Sequence, residues 1–348
     1  MRRACAALNE VNMLNFEDET PIVIGENINT TRRIRADSKN IVKKDGKVFW
    51  RYPALDGGDG FLDVTEQYPQ DEKQVRSARI GHIRQGVKDQ EMEFLTWAIK
   101  AQVNAGSHII DLCVDELSVY PEERHEFMRW IVKTAQKICP EVSFAVDSSD
   151  PDTLRAGLEV YDMSLSRPAI NSVSLEAGRD VVIDIGKEAG ALIFANGSGD
   201  SGMPQDEHER IANLTKLMEM MDEKGVPVRD RFLDPLVFPV GAGPHFGVHF
   251  LNAVKGLREK FPDVRIFGGL SNVSFGLPRR KLLNDAFIRL CMDAGCDALM
   301  IDPLMNPLEE ILKPPIDQAE YERAAAVMTA EDEYGLKYLK YVRGQAAA

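Results

Sequence analysis

The chain has 348 residues, 44% of them hydrophobic and 28% charged, and carries a formal net charge of −13. These values fit an ordinary globular protein of one large domain or two modest ones. The acidic balance, with no basic stripe, argues against nucleic acid or an anionic membrane as a main partner.

Residues 1–19 lack an apolar run long enough for a signal peptide, and no run of eighteen apolar residues occurs to span a membrane. Thr20–Ile24 (TPIVI) reads as the first strand and runs into a polar stretch holding Asn27 and Asn29. Arg32, Arg33 and Arg35 follow as the main basic cluster, either a solvated loop or part of a site. Residues 36–74 are polar and turn-rich. A hairpin is expected there, from KVFWRYP through ALDGGDG to FLDVTEQYP, with Asp-Gly pairs at its turn. This insertion separates the first strand from its helix, as a lid, a partner surface or a surface ornament.

Asp71–Ala105 has helical spacing of apolar residues and ends at Gly106. Strands are then expected at His108–Asp111, Glu141–Asp147, Pro168–Ile170, Ala191–Ala195, Arg231–Leu233, Val264–Gly268 and Asp297–Ile301. Helices alternate with them at Pro121–Ile138, from Pro151, at Arg179–Ala189, Gln205–Lys224, Pro244–Phe261 and Arg280–Ala294. Further helices are read at Leu308–Leu312 and Gln318–Leu339. Asp150 is placed to cap a helix that starts at Pro151. Eight short apolar strands alternating with helices, with turns such as NAG, EAG, EKG and DAG before several strands, predict a (β/α)8 TIM barrel over residues 20–305. The chain is read as one domain, residues 1–348, with a helical tail at 306–348. A doubly wound sheet is the alternative, but no GxGxxG follows the first strand.

The residues at the strand ends carry the chemistry. Asn27, Asn29, Asp111, Asp147, Asn171, Asn196, Asp234, Asn272 and Asp302 are all Asp or Asn. Any one of them reads as a turn residue or helix cap. As a ring at the C-terminal ends of barrel strands, they suit a flat, neutral heterocycle with several donors and acceptors. A carboxylate can accept two parallel N–H bonds from an amino-pyrimidinone edge.

Other chemistries lack their residues. There is no P-loop sequence and no HExxH. His245 and His249 lie four apart, as metal ligands can, yet a lone pair at a helix start is more often surface or core. No metal site is expected. Nothing near Cys113 in the sequence would activate it as a nucleophile. The five cysteines are odd in number and lack C-x-x-C spacing, which points to a reducing cytoplasm.

Five motifs in order carry a family resemblance: IGENINTTRR (24–33), VDSSDPDTLRAGL (146–158), PAINSVSLE (168–176), FLDPLVFPVG (232–241) and GGLSNVSFGLP (268–278). Together they resemble the pterin-binding methyltransferase family. That family includes the folate module of cobalamin-dependent methionine synthase and the methyltetrahydrofolate:corrinoid protein methyltransferases. The resemblance implies the same barrel, tetrahydrofolate as substrate, and a corrinoid carried by a partner protein, since this chain has no DxHxxG motif. It further implies that Asp147, Asn171 and Asp234 hydrogen-bond the pterin ring and that Asn272 reaches N5, the atom bearing the methyl. Ser271, Asn196, Asn29 and Asp111 are expected as neighbouring polar positions of the pocket. A homodimer is also implied.

The chain departs from the family pattern at Cys113, often Asn in relatives, at Phe275, where some relatives are polar, and in the 36–74 insertion. Two other functions share the scaffold. A dihydropteroate synthase-type condensing enzyme would need Lys or Arg where Asn272 and Val273 stand. A pterin-binding subunit without activity would dock a partner through the insertion.

Overall fold

The computed structural model describes residues 21–346. The N-terminal reading on signal peptides, and Cys5, lie outside the described residues, as do Thr20 of the expected first strand and Ala347–Ala348 of the tail. Eight parallel strands form the main sheet: β1 (Ile22–Asn29), β7 (Ile109–Cys113), β8 (Ser143–Asp147), β9 (Ala169–Val173), β10 (Leu192–Asn196), β11 (Arg231–Asp234), β12 (Arg265–Ile266) and β13 (Ala298–Ile301). Their order is β12-β11-β10-β9-β8-β7-β1-β13, and an isolated parallel bridge joins Gly269, three residues beyond β12, to Met300 of β13. Helices alternate with the strands, giving the TIM barrel that the sequence predicts.

The insertion contributes β2 (Ile34–Arg35), β3 (Ile41–Lys44), β4 (Lys47–Pro53), β5 (Asp59–Asp63) and β6 (Arg79–Ile80). The helices are α1 (His82–Lys88), α2 (Met92–Asn104), α3 (Pro121–Ile138), α4 (Pro151–Leu158), α5 (Val181–Glu188), α6 (Glu207–Glu223), α7 (Phe246–Lys260), α8 (Arg280–Ala294), α9 (Leu308–Leu312), α10 (Gln318–Met328) and α11 (Leu336–Ala346).

The chain divides into two compact units. The first holds Glu26–Asn104 and Ile109–Pro168. In it β7 pairs with β8 in register from Ile109 opposite Ser143 to Cys113 opposite Asp147. The insertion forms an antiparallel sheet β3-β4-β5, with β2 paired to β6. Its inner face is aromatic. Trp50 meets Phe94 at 5.8 Å and Trp97 at 5.7 Å between ring centroids, and Tyr52 meets Trp97 at 4.8 Å. The meander is therefore fastened onto α2, whose far end supplies Gln102. That buried amide accepts the Asn27 N–H at 3.0 Å and donates to the Ala98 carbonyl at 2.9 Å.

The second unit holds Ala105–His108 and the described residues from Ala169 on, with Pro21 and residues 22–25 of β1. There β1 pairs with β13 and β10 with β11, Asn196 opposite Asp234. Phe194, Phe232 and Phe267 form a buried aromatic core with centroids 4.8 to 6.3 Å apart. Asp206 caps α6 by accepting from the N–H groups of His208 and Glu209. Gly295, at φ 115°, ends α8 in the left-handed conformation glycine favours.

Several expected boundaries move. The expected helix over 71–105 is broken: a short turn and β6 precede α1, and Gln90, at φ 54°, reverses the chain before α2. The reversal seats the Phe94 ring on Gly86, where a Cβ would sit 2.3 Å from it. The hairpin gains a third strand, β3. The strand at 264–268 shrinks to Arg265–Ile266, followed by a 3-10 turn over Leu270–Ser274. The tail helix splits into α10 and α11, with Tyr334 at φ 55° between them. Strands β1, β7 and β9 run further than expected, so Asn27, Asn29, Asp111 and Asn171 lie within strands rather than after them. Ala145 of β8 stands opposite Asp111 and Phe194 of β10 opposite Asn171, and this pairing outweighs the weak strand preference of Asn and Asp, while at Asn27 the N–H is taken by the Gln102 side chain instead.

Candidate active site

In the first unit, Asp147 ends β8 and is half-buried. Asp111 sits mid-strand in β7 and is 2% exposed. A residue missed by the sequence reading braces this corner. Asp115 accepts from Ser148 Oγ at 2.6 Å and from the Ser149 N–H and Oγ, both at 2.8 Å. It thereby fixes the turn that leaves Asp147. Asp150 caps α4 as expected, accepting from the Asp152 N–H, and also takes the Thr153 hydroxyl at 2.7 Å. Asn29 uses its side-chain oxygen locally, accepting from Thr31 N–H at 2.9 Å and Oγ1 at 2.6 Å. Burial and the nearby Asp147, Asp115 and Asp111 push the Cys113 thiol up, which leaves it inert as a nucleophile. Of the arginine cluster, Arg33 pairs with Glu116 at 2.6 Å and Arg35 with Asp37 at 2.6 Å.

The second unit contains Asn171, Asn196, Asp234, Ser271 and Asn272. Asn196 donates from Nδ2 to Ser172 Oγ at 2.7 Å and accepts from the Ser198 N–H at 3.0 Å. Ser198 in turn donates to Glu176 at 2.7 Å. Asp234 accepts from the Leu236 N–H at 2.8 Å. Burial pushes its carboxyl up to about 7, against the opposing pull of that hydrogen bond and of Arg210.

Asn272 is exposed on the 3-10 turn, and its amide takes no hydrogen-bond partner among the described residues. Its backbone is held at both ends: the N–H donates to the Gly269 carbonyl and the carbonyl accepts from the Phe275 N–H, each at 3.1 Å. Gly269 leaves room for the amide, since a Cβ there would lie 3.0 Å from Asn272 Nδ2. Ser271 is buried with a hydroxyl that finds no partner among the described residues. Behind the turn, Ser274 donates to the buried Asn284 at 2.6 Å, and Arg280 donates to the Ser271 carbonyl at 2.6 Å. Asp302 caps its own turn, accepting from the Leu304 and Met305 N–H groups.

No cluster of His, Cys, Asp or Glu able to hold a metal occurs among the described residues. His249 is taken by Glu207, and its ring centroid lies 6.2 Å from that of His245. A surface cavity of about 400 Å3, lined by Lys43, Lys47, Thr65 and Tyr68 among others, belongs wholly to the insertion and includes none of the strand-end residues.

Asp115, Arg210, Asn284 and Glu176 were not found from sequence. The only available signal for Asp115 was its place four residues beyond Asp111 in the loop leaving the same strand.

Comparison with known proteins gives a consistent picture. Residues 82–302 match the family described as pterin binding enzyme. The chain is 31% identical over 225 residues to a methylcorrinoid:tetrahydrofolate methyltransferase of Eubacterium limosum, covering 64% of this chain and 80% of that protein. It is 28% identical over 218 residues to a methionine synthase of Mycobacterium tuberculosis, covering 58% of this chain and 17% of the much longer relative. Among solved structures, the DHPS of Yersinia pestis superposes with a TM-score of 0.50 at 14% identity, covering 90% of this chain and 93% of that one. A dihydropteroate synthase of Coxiella burnetii gives 0.50 at 13%, with the same coverage. At such identity these two structures speak to the fold alone. The family match and the extent of the first relative's alignment show that this chain belongs to the pterin-binding enzymes.

Proposed function

We propose that this protein is a tetrahydrofolate-dependent corrinoid methyltransferase, moving a methyl group between N5 of tetrahydrofolate and a corrinoid carried by a separate partner protein. One observation carries the reading: the similarity spans 80% of a methylcorrinoid:tetrahydrofolate methyltransferase. Asp111, Asp147, Asn171, Asn196, Asp234 and Asn272 all lie within the matched segment 82–302. In the direction that relative's name gives, the methyl leaves the corrinoid for N5. N5 then loses its proton, and the bonding electrons stay with the corrinoid.

The residues take the following parts. Asp147, Asn171 and Asp234 hydrogen-bond the pterin ring, an ionised carboxylate accepting two N–H bonds at its amino-pyrimidinone edge. Asn272 meets N5. An amide that turns can accept from N5–H before transfer and donate to the tertiary amine afterwards. A fixed dipole aimed at changing charge contributes a few kcal/mol. Ser271, Asn196, Asp111 and Asn29 complete the polar surround. The four described cysteines are free and buried, which suits a reducing cytoplasm. The homodimer implied by the family is read by sedimentation.

The test is anaerobic methyl exchange between a methylated corrinoid protein, or methylcobalamin, and tetrahydrofolate. Appearance of methyltetrahydrofolate at a rate that Asn272→Ala reduces supports the reading. No exchange with any corrinoid donor sinks it.

A further inference from the structure

Arg210, on α6, is completely buried. Burying a guanidinium without a carboxylate partner is costly, because its hydration is lost and little replaces it. Yet Arg210 spends its hydrogen bonds on carbonyls: Nε donates to Pro235 O at 2.8 Å and, more weakly, to Leu236 O at 3.4 Å, and Nη1 donates to Asp206 O at 2.9 Å. Its flat face lies 4.8 Å from the Phe238 ring centroid. Nη2 is enclosed and bonded to nothing among the described residues.

Two of those carbonyls belong to the residues immediately after Asp234. Leu236 is held at φ 67°, a conformation a leucine rarely adopts, and its N–H closes back onto the Asp234 carboxylate. The arginine thus grips, from behind, the turn that aims Asp234. The charges around the pair are few. Among the described residues, the Arg210 charge pulls the Asp234 carboxyl down against its burial. Arg210 is itself faced by Asp206, Glu207, Glu209 and Asp234, and Glu207 is engaged by His249 of α7. On the neighbouring strand β10, the register partner of Asp234 is the uncharged Asn196.

We propose that Arg210 is a positioning residue of the pterin site: it fixes the turn that orients the Asp234 carboxylate, and its buried positive charge keeps that carboxylate ionised so that it can accept from the pterin edge. The proposal rests on the function proposed above. A carboxyl pushed up to about 7 is half protonated near neutrality. Without the arginine it rises further, and a protonated carboxyl offers one donor where two acceptors are required.

The experiment is calorimetric titration with methyltetrahydrofolate between pH 5.5 and 9.5, for the native protein, Arg210→Met, Arg210→Lys and Asp234→Asn. Native affinity should rise through a midpoint near that carboxyl's value. Arg210→Met should move the midpoint up by one to two pH units. Binding at pH 7 then weakens about tenfold and largely recovers by pH 9.5, as the ionised fraction dictates. Arg210→Lys, which keeps the charge, should keep the midpoint, and Asp234→Asn should abolish it. Equal weakening by Arg210→Met at every pH, or a midpoint that survives in Asp234→Asn, overturns the proposal. Should Arg210→Met not fold, Arg210→Gln, which removes the charge but keeps polar donors, decides: a raised midpoint supports the role of charge and an unmoved one refutes it. A native protein that binds no pterin at any pH instead removes the functional reading, and the proposal with it.

Discussion

Replacing Asp234 by Asn separates what this carboxyl does for a ligand from what it costs the fold. Burial lifts it from an ordinary 3.8 to about 7. At 1.36 kcal/mol per unit the ceiling is about 4 kcal/mol, and discounting for partial exposure leaves about 2 kcal/mol. The sign follows from proton uptake. Between pH 4 and 7 the folded carboxyl holds a proton that the unfolded one has released, so stability falls as pH rises through that window and stays low above it. An amide at the same place, still able to accept from the Leu236 N–H, has no such slope. In thermal unfolding of the unliganded protein, Asp234→Asn should melt a few degrees above native at pH 8, with the gap closing near pH 4. The same variant should lose the stabilisation that methyltetrahydrofolate gives native protein. A gap independent of pH, or a variant that melts lower at pH 8, would refute the reasoning.

Other outcomes follow from the same geometry. Asn272→Ala should lower kcat for methyl transfer about a hundredfold while KM for the folate changes only a few-fold, since its amide acts on the charge that develops at N5; steady-state kinetics resolve the two. Asp147→Asn should weaken pterin binding by about tenfold or more in calorimetry, because a carboxylate accepting charge-assisted bonds is replaced by a neutral group. Gly157→Ala puts a Cβ 2.6 Å from Val146 Cγ1 and 2.8 Å from Met128 Cγ, both in packed core, and should cost about 1–3 kcal/mol in denaturant unfolding. Trp50→Ala removes the ring that touches Tyr52, His82, Phe94 and Trp97. It should cost about 3–5 kcal/mol and lower hydrogen-exchange protection throughout β3–β5.

The helices were the most legible part of the chain. The reading of α3 and α8 agrees with the structure at both ends. Pro121 opens α3 where its missing N–H costs nothing, and Gly295 closes α8. Strand ends were less legible. The apolar runs stop at Asp111 and Asn171, but the ladders continue through them, because a neighbouring backbone offers partners that a single sequence does not display. The short β3, IVKK, has too little apolar pattern to announce itself and exists because β4 lies beside it. At the site, the family motifs singled out the Asp and Asn positions, whereas their supports stayed hidden. Arg210 stands in a charged helix and reads as a solvated face. It is buried through contacts 25 residues away along the chain. Asp115 braces a turn 33 residues away. Such partners depend on folded distance, which local pattern does not carry.

The seat of the insertion has a mechanical consequence. Helix α2 has 13 residues, about 20 Å of stiff rod, with Trp97 under the aromatic sheet and Gln102 gripping the backbone of β1 at Asn27. The meander and the strand that carries Asn29 are therefore tied to the same helix. The insertion behaves as a handle attached to the barrel wall, and loosening its grip at Trp50 slackens the far end of that rod as well.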